Sequence, residues 1–130
     1  MLVDGKEINF FLNVNDTRAH YVGLLLSWIK KEETRTLRAY NAMARYLENG
    51  MIIGIVDRGM ILGYMTYNGV RYYGTREEFD RARSLHCVPG GSEYDYDDSK
   101  KKVGLLLSSP VRLASPVKAP ESKWRGFRIA

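Results

Sequence analysis

The sequence holds one cysteine, two histidines and four prolines in 130 residues. A lone cysteine, Cys87, excludes an internal disulfide. That predicts a reducing setting, either cytoplasm or the interior of a particle. No apolar run approaches the roughly 18 residues of a membrane span. Val22 to Leu26 is short and includes Gly23. The opening MLVDGKEINF has neither a basic region nor an apolar core of the secretory kind, so the reading is of a protein that is not secreted and has no membrane partner. Two histidines and one cysteine lack any metal-ligand spacing. Glu93, Asp95, Asp97 and Asp98 lack the glycine and closing glutamate of a calcium loop. Phosphate-binding glycine loops, nucleophile elbows and zinc-protease helices are all missing. No cofactor, metal or catalytic residue is therefore implied. His86-Cys87 is no catalytic pair by adjacency alone.

What is present suits a globular domain, with 45% apolar and 27% charged residues. Net charge is +5 and unevenly placed. Residues 99–130 carry Lys100, Lys101, Lys102, Arg112, Lys118, Lys123, Arg125 and Arg128 against Glu121, while residues 1–98 are slightly acidic. Local excess charge speaks to partners, not to fold.

The strongest local pattern is Met51 to Tyr73. Its β-branched and aromatic residues are punctuated by Asp57-Arg58-Gly59 and Asn68-Gly69, which predicts a three-strand antiparallel meander. Upstream, Ile8 to Val14 alternates as a strand, with Ile8, Phe10, Leu12 and Val14 on one face. Asn15-Asp16-Thr17 offers caps for a helix over 17–31, striped by Val22, Leu25, Leu26 and Ile29. Glu32-Glu33-Thr34 reads as an interruption. Thr34 would cap a second helix over 35–48, closed by Asn49-Gly50. Thr75-Arg76-Glu77-Glu78 has the form of a capping box ahead of a helix over 76–85. Beyond His86 the pattern changes to loop, acidic tyrosine run, lysine cluster and a proline-punctuated tail. The expectation is an α+β fold: an antiparallel sheet with a three-strand meander packed on two or three helices over 1–90. A loop and an extended basic C-terminal arm follow over 91–130.

The order strand, helix, helix and glycine-turn hairpin resembles the front half of the GNAT acetyltransferases. The similarity covers residues 8–69. It rests on Phe11-Leu12-Asn13-Val14-Asn15-Asp16 and on Gly59 before Ile61-Leu62-Gly63-Tyr64. It implies a GNAT-like N-acetyltransferase. That family holds a pyrophosphate on amides at a helix start. The nearest counterpart here, Lys101-Lys102-Val103-Gly104-Leu105-Leu106, has one glycine where two small residues are needed.

Two features point to partners. The arm combines spaced cations with Trp124 and Phe127, as in an extended segment docking on a protein or ribonucleoprotein assembly, such as a viral particle. The partner-binding set is then Lys100, Lys101, Lys102, Arg112, Lys118, Lys123, Trp124, Arg125, Phe127 and Arg128. The meander places Tyr64, Tyr67, Tyr72 and Tyr73 near Arg71, and such aromatics can stack nucleobases. Against that, alternate strand residues point into a core. The leading reading is a non-enzymatic assembly protein docking through the arm. Its rivals are direct binding of DNA or RNA by arm and tyrosine sheet, and acetyl transfer.

Overall fold

The computed structural model describes residues 1–14 and 20–130. The caps expected at 15–17 lie outside the described residues. A six-stranded mixed sheet runs in the order β4-β7-β6-β5-β3-β8. Its strands are β3 (Phe10–Asn13), β4 (Glu32–Thr36), β5 (Ile52–Asp57), β6 (Met60–Tyr73), β7 (Lys102–Lys118) and β8 (Phe127–Ile129). A short antiparallel hairpin of β1 (Leu2–Val3) and β2 (Lys6–Glu7) stands beside it. The helices are α1 (Tyr21–Leu26), α2 (Leu37–Met43), α3 (Arg76–Arg81) and α4 (Arg83–His86). The α+β class holds. The sheet is mixed because β3 and β5 run parallel, with Phe11 beside Gly54.

Local chemistry explains several boundaries. Arg58 and Gly59 have φ of 49° and 80°, so the β5–β6 hairpin turns where positive φ is tolerated. Thr75 Oγ1 accepts from the Glu78 amide at 3.1 Å and starts α3. The helix expected through residue 85 instead breaks at Ala82 into α3 and α4.

Asn68-Gly69 does not turn the chain. It is a bulge inside the 14-residue strand β6, between the pairs Tyr67–Leu107 and Val70–Leu105. Gly69 has φ of 110°, and the positive φ that serves a hairpin serves a bulge equally well. The three-strand meander is thus two strands, β5 and β6.

Glu32-Glu33-Thr34 is not an interruption between helices. It opens β4, which pairs antiparallel with β7 from Glu32–Leu106 to Thr36–Lys102. The cap of α2 is Thr36, whose side chain accepts from the Ala39 amide at 3.1 Å. The observed order is therefore strand, helix, strand, helix, which departs from the order that suggested a GNAT enzyme. The would-be pyrophosphate segment, Lys101 to Leu106, runs into strand β7 instead of a helix start.

The arm expected beyond residue 90 is also corrected. β7 sits inside the sheet, between β4 and β6, and β8 pairs with β3. Val103, Leu105 and Leu107 alternate inward and supply the burial that holds β7 in place. Its prolines fall where the ladder slips. Ser109-Pro110 bulges opposite Met65, and Pro116 lies in residues 113–116 opposite Leu62. A residue without an N–H costs little at such places.

The main core joins Phe10 and Leu12 to Leu25 and Leu26 of α1, Ile53 and Ile55, Leu105 and Leu107, and Phe127. Ile8 does not share the face of Phe10, Leu12 and Val14, because β3 starts only at Phe10; it packs with Phe11 on the other side against Val56, Ile61 and Tyr64, so β3 is covered on both faces. A third cluster gathers Tyr73, Phe79, Val88 and Tyr96.

Candidate functional site

A cleft of about 540 Å³ opens where the end of β3, the start of α1, β4 and the start of β7 come together. It is lined by Asn13, Tyr21, Glu33, Thr34, Arg35, Thr36, Ala39, Tyr94, Lys102, Arg125 and Gly126. Three of these are cations, and Glu33 is the sole carboxylate among them.

Glu33 is already engaged. Its Oε1 lies 3.3 Å from Lys30 Nζ and its Oε2 lies 2.7 Å from Arg35 Nη1. Lys30 is wholly buried, donates to the His86 carbonyl and sits 4.5 Å from the centre of the Tyr21 ring. Burial alone would raise the Glu33 carboxyl, but Arg35 and Lys30 outweigh it and hold it below the ordinary carboxylate value. Arg35 is fixed further by donating to the Thr34 carbonyl at 2.8 Å and the Asn13 carbonyl at 2.5 Å. Arg128 Nε donates to Asn13 Oδ1 at 2.8 Å, while Asn13 donates to the Arg125 carbonyl at 2.9 Å. The guanidinium of Arg35 is thus held on the cleft wall before any ligand arrives.

Lys102 differs. It is 7% exposed, and no carboxylate stands within 4 Å of its ammonium among the described residues. Burial, then repulsion from Arg35, lowers its pKa from the usual lysine value. Buried cations without a partner are costly. Tyr21 completes the wall, edge-on to Tyr94 at 6.0 Å. Burial, then the Glu33 charge, pushes the Tyr21 hydroxyl up to about 12, so it remains a donor at neutral pH. The arrangement suits a small anion carrying several acceptor oxygens.

The sequence-predicted residues scatter around this centre. Lys102 and Arg125 line the cleft. Lys100 and Lys101 line an adjoining hollow. Arg112 and Lys118 lie exposed on the far half of β7, and Lys123 is exposed beyond it. Phe127 is 2% exposed and stacks on Phe10 at 5.4 Å and on Trp124 at 4.9 Å. Those aromatics therefore build the core and its margin instead of an exposed tip. Tyr64, Tyr67 and Tyr73 are buried. Tyr73 donates to Glu32 Oε1 at 2.6 Å, and Arg71 pairs with the same carboxylate at 3.2 Å. Tyr72 stays 58% exposed beside Tyr40. The four tyrosines do not form one stacking platform. Sequence reasoning missed Asn13, Tyr21, Arg35 and Tyr94. The alternation Glu-Glu-Thr-Arg-Thr, with two β-branched threonines, was the available sign that Arg35 belongs to a strand.

His86 serves structure. Its Nε2 lies 2.8 Å from the Phe79 carbonyl, and the Val88 amide donates to Nδ1 at 2.9 Å. No cluster of three or more metal-ligating side chains occurs among the described residues. No helix among them is long and apolar enough to cross a membrane.

No family profile matches the chain, and neither does any curated protein. Solved structures do match, and the fold they share with this chain is that of ASCH proteins. The ASCH protein of Zymomonas mobilis superposes with a TM-score of 0.67 at 12% identity, covering 93% of this chain and 86% of that one. A serine-to-alanine variant of it gives 0.68, also at 12% identity, covering 93% and 87%. The hypothetical protein PH0355 gives 0.51 at 18% identity, covering 78% of this chain and 97% of its own. These likenesses show the fold. They overturn the GNAT resemblance, which rested on a hairpin pattern that many α+β sheets contain.

Proposed function

We propose that this chain is a small RNA-binding module that receives a phosphate of a single strand in the Lys102 cleft. The observation that carries the reading is the buried ammonium of Lys102, with no carboxylate within 4 Å among the described residues, beside the fixed guanidinium of Arg35. A phosphate would supply a counter-charge and accept from both groups and from the Tyr21 hydroxyl. Such a bond to a charged group contributes about 1.5–3 kcal/mol. Tyr94 and Tyr21 give the cleft aromatic surface for a base or sugar, and the hydroxyl and amide groups of Thr36 and Asn13 suit a ribose 2′-OH. The shared ASCH fold is compatible with this reading.

The test is fluorescence anisotropy with a short single-stranded RNA and its DNA counterpart, across a salt series, for the natural chain and Lys102→Met. The expected result is RNA binding that weakens with salt, and a loss of about tenfold or more in the variant. Equal affinity of the two proteins, or a flat salt response, would remove the basis of the proposal. Equal binding of DNA would remove the ribose part of it.

A further inference from the structure

A second hollow of about 610 Å³ adjoins the cleft, lined by Thr36, Leu37, Arg38, Asn41, Ser99, Lys100 and Lys101. Thr36 lines both spaces, and the consecutive lysines divide between them, Lys102 in the cleft and Lys100 and Lys101 in the hollow. We infer that the two spaces form one track, and that the ligand is a strand spanning both, with the phosphate next to the Lys102-bound one held by Arg38, Lys100 and Lys101. This rests on the reading of the cleft given above.

Three observations support it. Each space is of the size that holds a small ligand, roughly 300–1,000 Å³. No carboxylate lines the hollow among the described residues, so its charge is uniformly positive. The presenting backbone is also fixed. The Leu37 amide donates to the Lys101 carbonyl at 2.8 Å, and the Lys100 amide donates to the Asp97 carbonyl at 2.9 Å. Asp97, the nearby carboxylate, accepts from the Ser99 amide at 2.8 Å and hydroxyl at 2.7 Å. The lysines therefore stand on an ordered turn, aimed at the space between α2 and β7. A mononucleotide would fill the cleft and leave those cations unused.

The experiment measures affinity for uridine 5′-monophosphate, a 5′-phosphorylated dinucleotide and an octanucleotide, with the natural chain and with the double variant Lys100→Ala/Lys101→Ala. The lysines are exposed, so circular dichroism should report an unchanged fold. The inference predicts that affinity rises from mono- to dinucleotide. It also predicts that the double variant loses this gain while binding the mononucleotide as before. The slope of log affinity against log salt should fall by about 0.7 for the octanucleotide, since one phosphate contact on a single strand is lost and each contributes about 0.7. Affinity independent of length, or equal weakening for all three ligands, would overturn the track and leave the cleft standing. Absence of binding at every length would overturn both.

Discussion

Lys102→Met should make the protein more stable while disabling its site. Methionine has a similar unbranched reach and packs well in irregular spaces. In the native fold the Lys102 ammonium is desolvated, faces the Arg35 charge and has no carboxylate partner among the described residues. Replacing it removes the desolvation penalty and that repulsion, and adds apolar contact. The expected gain is on the order of 1–2 kcal/mol near neutral pH. A chain of this size should then show a melting midpoint raised by roughly 3–8 °C. Urea unfolding of both proteins from pH 7 to pH 10 supplies a stricter check. The folded pKa of Lys102 lies below its unfolded value, so the unfolded state holds more protons as pH rises through that interval. Stability of the natural chain should therefore rise there relative to the variant. The advantage of Lys102→Met should be largest at neutral pH and shrink as pH climbs toward the usual lysine value. A variant that is less stable at pH 7, or an advantage independent of pH, would refute the reasoning. It would mean that the ammonium is already satisfied in the free protein.

Glu33→Gln should destabilise the chain by about 3–5 kcal/mol in urea titrations, because it leaves buried Lys30 without its counter-charge. The double variant Lys30→Met/Glu33→Gln should recover part of that loss. The depressed Glu33 pKa adds a pH signature: its stabilisation is full above the unfolded carboxylate value and fades as pH falls through the lower folded one, so the natural chain should weaken in acid more than the variant does. Phe127→Ala should cost about 3–5 kcal/mol, since it hollows the stack between Phe10 and Trp124; an unaffected unfolding midpoint would restore the idea of a free arm. Gly63→Ala should cost about 1–3 kcal/mol, because a Cβ there would stand 2.4 Å from the Val111 carbonyl oxygen and force β6 from β7.

Local signals in the sequence translated well. The Thr75 cap and the Arg58-Gly59 turn depend on groups three or four residues apart, and both form. Asn68-Gly69 was ambiguous on physical grounds, since one backbone conformation serves either a reversal or a bulge. Only the long partner strand β7 decides between them. Glu32 to Thr36 was opaque for another reason. A strand opening on two glutamates looks solvent-exposed until Tyr73 and Arg71 bind one carboxylate and Lys30 and Arg35 the other. Prolines and cations made residues 99–130 resemble a tail. The alternation of Val103, Leu105 and Leu107 was visible, but its partners lie far away in the chain. The cleft followed the same rule. Lys102 and Arg125 were singled out, yet Tyr21, Arg35 and Tyr94 come from separate segments that only the sheet assembles.

The placement of β3 also bears on how the chain reaches this state. One neighbour, β5, lies some forty residues onward, and the other, β8, is reached through contacts such as Arg128 to Asn13, 115 residues apart. Pairings between such distant segments give little return until long loops have closed, so they slow folding. During synthesis the pairing of β3 with β8 can come only after β5, β6 and β7 have been made, so those three strands can associate beforehand. The wall carrying Asn13 and Arg125 would then be the last part of the cleft to set, so ligand binding would report completion of the fold and not its onset.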